Sequence, residues 1–206
     1  MQQSAAKFSG DPPAGPAGMP HLAGPAAGLR QAMAAHFVDG LSTIVEIGGH
    51  LRPVSGFLRH VPESFVCIDP KSEPFEADEL NGEPCRVRHI ARKFQDVDLE
   101  LQPGSYGLVF VGYSLKAFGS QDAVGQKLFS LIDNSAITVL EFSPNLQRAS
   151  EQMLCLLKRP EMETVCSLDF SIKDGAFETT EYGARRLVVL RPGSKRSEAQ
   201  NTAAHA

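Results

Sequence analysis

One segment, residues 42–70 (STIVEIGGHLRPVSGFLRHVPESFVCIDP), constrains the fold more than any other part of the chain. It contains two short apolar runs, Thr43–Ile47 and Ser64–Ile68, of the kind that forms strands buried on both faces of a parallel sheet. Between them, Pro53–Val61 predicts a helix with proline near its first position. A strand, a glycine turn, a helix and a second strand in this order predict a parallel sheet with a ligand pocket where the strands end.

An acidic residue lies at the end of each predicted strand. Glu46 precedes the glycine pair Gly48-Gly49, and Asp69 directly follows the second strand. Because the carboxyl ends of neighbouring parallel strands meet at one edge of a sheet, both carboxyl groups are expected to face the same pocket. Glycine has no Cβ atom, so the backbone of the turn can adopt positive φ and approach a ligand closely. The pattern therefore predicts a site for a nucleotide-like ligand.

The rest of the chain continues the alternation of helices and strands and then changes. Residues 71–85 predict a polar connection with room for a short helix, and Lys173-Asp174-Gly175 near the end favours a hairpin turn. The expected fold is a three-layer α/β/α sandwich with a mostly parallel seven-stranded sheet and an antiparallel C-terminal hairpin. Besides the elements above, the predicted helices are Leu29–Leu41, Asp122–Asp133 and Leu146–Lys158, and the predicted strands are Arg86–Ile90, Gly107–Val111, Ala136–Phe142, Glu163–Ile172 and Glu178–Leu190.

The two ends of the chain differ in composition from its centre. Residues 1–28 are rich in Ala, Gly and Pro and lack the apolar side chains that offset ordering entropy, so we expect a flexible leader. Residues 193–206 are similarly polar and are expected to form a flexible tail. One domain over residues 29–192 is the prediction for a chain of 206 residues.

Charge and cysteine content argue against several classes of function. The net charge of −4 does not favour electrostatic capture of nucleic acid or of an anionic membrane. The four cysteines include no C-x-x-C pair, so no metal site is expected. The sequence shows no signal peptide and no apolar stretch of membrane-spanning length, so a cytoplasmic protein is expected. The adjacent Arg185 and Arg186 are expected to be solvated.

Four motifs and the order of the elements resemble the class I S-adenosylmethionine-dependent methyltransferases, a Rossmann-like family. The resemblance covers about Leu29–Pro192. It implies S-adenosylmethionine as cofactor and methyl transfer as the activity. The motifs are Val45–Gly49 for the first strand and turn, Val66–Asp69 for the second strand, Gly104–Val111 for the fourth, and Ala136–Asn145 for the fifth and its loop.

The resemblance also implies roles for individual residues. Glu46 would lie beneath the amino-acid portion of the cofactor, and Asp69 would accept both ribose hydroxyls. Phe94 is a candidate to stack on the adenine. The full set of expected cofactor-binding residues is Glu46, Gly48, Gly49, His50, Asp69, Pro70, Phe94 and Gly112.

Methyl transfer requires few catalytic groups from the protein, because the sulfonium of S-adenosylmethionine is already reactive. Alignment of the acceptor supplies most of the acceleration. A base helps when an oxygen or nitrogen acceptor must lose a proton. His50 and Tyr113 are the expected catalytic residues, and His89 and Glu141 are further candidates near the strand ends. The expected acceptor is a small molecule or natural-product intermediate. The leader, the first helix or a second subunit would cover it.

The chain departs from the family pattern in ways that leave two alternatives open. His50 and Arg52 stand where the family commonly has glycine, and no acid follows the third strand before Asp96. A catalytically silent methyltransferase-like protein, serving as a binding or regulatory partner, is therefore the second hypothesis. A nicotinamide-dependent enzyme is a third, although the G-x-G-x-x-G turn is missing. No Asn-Pro-Pro-Tyr motif follows the fourth strand, which disfavours amino methylation of DNA bases.

Overall fold

The computed structural model describes residues 25–49, 53–111, 123–144, 161–171 and 184–193. Within these ranges the chain forms two α-helices, α1 (Pro25–Phe37) and α2 (Ala123–Asn134), and one sheet of eight strands. The strands are β1 (Thr43–Ile47), β2 (Ser64–Ile68), β3 (Phe75–Leu80), β4 (Glu83–Ile90), β5 (Tyr106–Val111), β6 (Ile137–Phe142), β7 (Met162–Ser171) and β8 (Ala184–Pro192).

The strands lie in the order β3-β4-β2-β1-β5-β6-β8-β7. The five central strands from β4 to β6 are parallel, β3 pairs antiparallel with β4, and β8 is inserted antiparallel between β6 and β7. This topology confirms the predicted mostly parallel α/β sheet with an antiparallel C-terminal hairpin.

Each face of the sheet is covered by one of the two helices. Ile44 and Val109 lie in a buried cluster with Ala34 and Val38 of α1 and the segment after it. On the opposite face, apolar residues of β1 and β5 pack with Leu128 and Ile132 of α2. Burial on both faces explains why the central strands read as continuous apolar runs rather than as an alternating pattern.

Gly107 in β5 permits the close packing of the segment that follows α1. A Cβ atom there would lie 2.9 Å from both Leu41 Cδ1 and Val38 Cγ1. Any larger residue would therefore push the segment after α1 away from the sheet, because protein cores have little free space to absorb an extra methyl group.

The sheet has one strand more than predicted. Residues 75–80 form β3, which pairs with β4 at the sheet edge through the turn Asn81-Gly82, so the suggested short helix within residues 71–85 is wrong. Both turn residues have positive φ, 55° and 87°, the conformation for which Asn-Gly is suited in a tight hairpin. The antiparallel edge strand is an addition to the predicted seven.

The predicted helix over Pro53–Val61 is also wrong. Only a single 3₁₀ turn, Val54–Phe57, forms there, and Leu58 is already extended. Val54, Ser55 and Gly56 are weak helix formers, and the backbone N–H of Val54 is used by a side chain from β1. A helix of this length has too few internal hydrogen bonds to survive without strong propensity.

The other boundaries agree more closely. The observed β1 and β2 coincide with the predicted strands, α2 is displaced by one residue at each end, and α1 begins at Pro25 and ends at Phe37 instead of spanning Leu29–Leu41. Neither helix in the described part of the chain is long and apolar enough to cross a membrane. The predicted helix Leu146–Lys158, the turn Lys173-Asp174-Gly175, and most of the leader and tail lie outside the described residues.

Candidate functional site

Three acidic residues lie along the edge of the sheet where the parallel strands end. Glu46 pairs in register with Cys67 of β2 and with Val109 of β5, and Asp69 follows β2 directly. Glu141 pairs with Val111, two residues further along β5. Because alternate residues of a strand share a face, Glu46, Cys67 and Glu141 all point to the face covered by α1. The predicted meeting of Glu46 and Asp69 at one edge is therefore observed.

Glu46 is completely buried. Its Oε2 accepts a hydrogen bond from the backbone N–H of Val54 at 2.9 Å, whereas its Oε1 has no hydrogen-bond partner within the described residues. Burial, with smaller contributions from the charges of Asp69 and Glu141, raises the pKa of Glu46 from 4.5 to about 8. Near neutral pH the side chain is therefore mostly protonated.

The two glycines after β1 are required by their immediate surroundings. Gly48 has φ +89°, and a Cβ atom there would lie 2.7 Å from the carbonyl oxygen of Val111. A Cβ atom at Gly49 would lie 2.2 Å from Cδ of Glu46. Local packing alone thus explains both glycines, and their contact with a cofactor stays a prediction.

Asp69 forms the turn that leaves β2. The residue is mostly buried, and its Oδ1 accepts a hydrogen bond from the backbone N–H of Lys71 at 2.8 Å. Its carbonyl oxygen accepts another from Ser72, which closes the turn around the exposed Pro70. One carboxylate oxygen therefore positions the turn, and the expected ribose contact of the carboxylate stays a prediction.

Phe94 lies in a 3₁₀ turn, Phe94–Asp96, that follows β4. Its ring packs edge-to-face against Phe110, with 5.8 Å between the ring centroids. Lys127 of α2 holds this turn, because its Nζ donates to the carbonyl oxygens of Gln95 at 3.1 Å and Val97 at 2.6 Å. Phe94 is thus fixed against the α2-side core, and its stacking on adenine stays a prediction.

Several predicted site residues cannot be compared with the structure. His50, Gly112 and Tyr113 lie outside the described residues, although the neighbouring Gly49 and Val111 are both at this edge. His89 is described: its half-buried ring contacts Phe75 and Phe65, with centroids 5.5 and 6.3 Å away, and burial lowers its pKa. These contacts favour a packing role for His89 over that of a base.

The structure adds two residues that the sequence did not reveal. Arg30 of α1 and Arg185 of β8 both donate through Nε to Oε1 of Glu141, at 2.9 and 3.0 Å. All three side chains are buried, so the expected solvation of Arg185 is wrong, whereas its neighbour Arg186 is on the other face and pairs with the exposed Asp169. The signal was present in the two-residue period, because Arg185 shares its face with the apolar Leu187 and Val189.

Cys67 lies on β2 beside Glu46, on the side of β1 away from Glu141 and Arg185. Its thiol is buried, and burial raises its pKa, as do the charges of Glu46 and Asp69. A thiol in this setting is inert as a nucleophile and packs as a small buried core residue.

Comparison with solved structures identifies which known proteins share this fold. No protein-family model matches the sequence, and no curated protein matches it. Among solved structures the chain is similar to the N-methyltransferase NodS from Bradyrhizobium japonicum WM9 in complex with S-adenosyl-L-homocysteine, with 12% identity, a TM-score of 0.58, and coverage of 90% of this chain and 94% of NodS.

Two further structures extend the comparison. An rRNA methylase from Streptococcus thermophilus has 12% identity and a TM-score of 0.51 over 81% of this chain and 96% of its own. TrmK of M. capricolum, in complex with S-adenosyl-homocysteine, has 10% identity and a TM-score of 0.50 over 80% of this chain and 68% of its own. The chain therefore has the fold of class I methyltransferases. Since one of these proteins is an rRNA methylase, the fold does not exclude a nucleic-acid acceptor.

Proposed function

We propose that this chain is an S-adenosylmethionine-dependent methyltransferase that acts on a small molecule or natural-product intermediate. The observation that carries the proposal is the pair of acidic residues, Glu46 and Asp69, at adjacent ends of β1 and β2 beside the Gly48-Gly49 turn. The fold of this chain, which is that of methyltransferase structures with bound S-adenosylhomocysteine, supports it. A cytoplasmic location and a biosynthetic role are part of the same proposal.

The residues at this edge fit the cofactor. Glu46 has a buried oxygen, Oε1, without a hydrogen-bond partner in the described part of the chain, and an ammonium group is a suitable partner for it. The charge of that ammonium would favour the ionised form of Glu46, which burial alone disfavours. Asp69 lies at the next strand end. Its Oδ1 accepts the backbone N–H of Lys71, and its Oδ2 would accept the ribose hydroxyls.

The remaining roles follow from position. Gly48, Gly49, Phe94, Pro70, His50 and Gly112 keep the cofactor contacts that the family resemblance implies. When bound, the cofactor supplies an electrophilic methyl group. The chain would align the acceptor with it, exclude water and, where the acceptor must lose a proton, provide His50 or Tyr113 as the base.

The test is binding of S-adenosylhomocysteine measured by isothermal titration calorimetry. We expect Asp69→Ala to weaken binding by about tenfold to a hundredfold, because charge-assisted hydrogen bonds contribute about 1.5–3 kcal/mol. The matched control is Asp78→Ala in the exposed edge strand β3, which should bind like the unsubstituted chain. Equal affinity of both variants would remove Asp69 from the proposal, and absence of binding by the unsubstituted chain would remove the cofactor.

One observation supports the second candidate, a catalytically silent binding or regulatory partner. In this chain the carboxyl group of Glu46 packs against Gly49 and accepts a hydrogen bond from Val54, so contacts within the chain already hold this acid. Two results together would favour the silent partner over the enzyme. The chain would bind S-adenosylhomocysteine, and it would not turn over S-adenosylmethionine, either by slow hydrolysis or with any of a panel of small acceptors.

A further inference from the structure

The side chains of Arg30, Glu141 and Arg185 form a buried cluster at the carboxyl edge of the sheet. They come from three different elements, α1, β6 and β8. Both guanidinium groups donate to the same oxygen, Oε1 of Glu141, at 2.9 and 3.0 Å. The exposed fractions of the three residues are only 2%, 7% and 0%.

Two guanidinium groups in this cluster, which remain charged in proteins, donate to one carboxylate oxygen, Oε1 of Glu141. Asp69 is three strands away from β6, about 14 Å at the usual strand spacing. Burial of a charged group is costly unless the group is paired and hydrogen-bonded, so an anion that meets the free donors of Arg185 would stabilise it.

Arg185 has the free hydrogen-bonding capacity to hold that anion. Its Nε is used by Glu141, whereas neither of its two terminal nitrogens has a hydrogen-bond partner among the residues that the structure describes. Buried donors without partners are rare, since each forfeits the hydrogen bonds that it made to water in the unfolded chain. A guanidinium with free terminal N–H groups is suited to a carboxylate or phosphate, whose oxygens match its planar fork.

The position of the cluster indicates which ligand brings the anion. Along the edge, Asp69 on β2 is the expected ribose contact and Glu46 on β1 the expected amino-acid contact, so the cofactor would run from β2 towards β5. The methyl group would then be presented on the β5 and β6 side. Glu141 and Arg185 lie on that side, beyond the cofactor, where an acceptor must sit.

We propose that Arg185, oriented by Glu141 and assisted by Arg30, binds a carboxylate or phosphate group of the methyl acceptor. The inference rests on the proposed function and deepens it, because it makes the substrate an anionic small molecule. The enclosure of Arg185 favours a small anion over the phosphate backbone of a polymer, which is read by exposed side chains.

The experiment is a thermal-shift titration of the full chain with sodium phosphate and sodium acetate, against sodium chloride of equal ionic strength. A ligand that binds only the folded state raises its melting temperature. We expect phosphate or acetate to stabilise the chain beyond chloride, and Arg185→Gln to lose that excess. The matched control is Arg186→Gln, because Arg186 is adjacent in sequence but on the opposite face with Asp169, so it should retain the excess. No excess over chloride in the unsubstituted chain would overturn the inference.

A second variant keeps the test decisive if Arg185→Gln does not fold. Glu141→Gln removes the carboxylate that both guanidinium groups share and should enlarge the stabilisation by phosphate. A cluster that serves only as an internal ion pair would show destabilisation and no response to anions. The latter result would overturn the inference.

S-adenosylhomocysteine and 5′-methylthioadenosine, which lacks the amino-acid portion, separate the possible sources of the anion. If Arg185→Gln weakens binding of the first and not of the second, Arg185 belongs to the cofactor site and the inference fails. If a short single-stranded RNA stabilises the chain through Arg185, the small acceptor is wrong. If phosphate acts as expected but S-adenosylhomocysteine does not bind, the proposed function fails and the anion site stands.

Discussion

The carboxyl group of Glu46 occupies the space that a side chain at Gly49 would need. A Cβ atom at Gly49 would lie 2.2 Å from Cδ and 2.5 Å from each carboxyl oxygen of Glu46. The glycine and the buried acid are therefore a packed pair, and the same contact that excludes a side chain also excludes water from the carboxyl group. That enclosure raises the pKa of Glu46.

Substitution of Gly49 tests this packing. We expect Gly49→Ala to lower the free energy of unfolding by about 1–3 kcal/mol or more, because overpacking forces neighbouring groups to move. The control is Gly56→Ala, where a Cβ atom meets nothing within 4 Å, and its effect should stay within about 0.5 kcal/mol. Urea unfolding followed by circular dichroism gives both values. Equal stability of the two variants would contradict the contact.

Two glycines with positive φ separate backbone strain from steric exclusion. Gly48 and Gly82 have φ of 89° and 87°, but a Cβ atom would lie 2.7 Å from Val111 O at Gly48 and in open space at Gly82. Gly82→Ala should therefore cost only the strain, about 1–2 kcal/mol, and Gly48→Ala clearly more. The measurement is again urea unfolding. A larger loss of unfolding free energy in Gly82→Ala than in Gly48→Ala would show that the Val111 carbonyl moves aside at little cost.

The protonation of Glu46 predicts a pH dependence of stability. Its pKa is raised in the folded state from 4.5 to about 8, so the folded chain binds the proton more tightly than the unfolded chain. The stabilisation is fully present below the unfolded pKa and is lost as the pH rises through about 8, at up to about 1.4 kcal/mol per pH unit. Glu46→Gln should flatten this part of the profile.

The difference between the pH profiles of stability of the unsubstituted chain and of Glu46→Gln isolates the contribution of Glu46, because the other groups titrate in both. His89, whose pKa is lowered by burial, acts in the opposite sense below its ordinary value. Glu79→Gln on the exposed face of β3 is the control and should leave the profile unchanged. A profile for Glu46→Gln that parallels that of the unsubstituted chain from pH 5 to 8 would contradict the buried, protonated acid.

Binding of the cofactor product should release a proton if the proposed function is right. The ligand ammonium favours ionised Glu46, so at pH 7 about one proton per bound ligand is expected to leave the site. Calorimetry in two buffers with different enthalpies of ionisation measures this number. Glu46→Gln should bind without release, and a buffer-independent enthalpy for the unsubstituted chain would place the ammonium away from Glu46.

The strands at the centre of the sheet could be predicted from local sequence because they are buried on both faces. The apolar side chains of Thr43–Ile47 and Ser64–Ile68 fall on both faces of the strand, as burial on both faces requires. The observed strands have these bounds. The edge strand β3 could not be found in this way. Its sequence FEADEL is largely exposed, so hydrophobic periodicity is absent, and only the Asn81-Gly82 turn marked the hairpin.

The sequence by itself determined the class of the fold and the presence of Glu46 and Asp69 at one edge, because strand ends are set by local pattern and parallel strands end together. The ionisation of Glu46 and the partners of Arg30 and Arg185 were decided only by the tertiary structure. Arg30 and Arg185 reach Glu141 across 111 and 44 residues of chain. Burial and the distance between charges govern these properties, and both arise only when α1, β6 and β8 pack together.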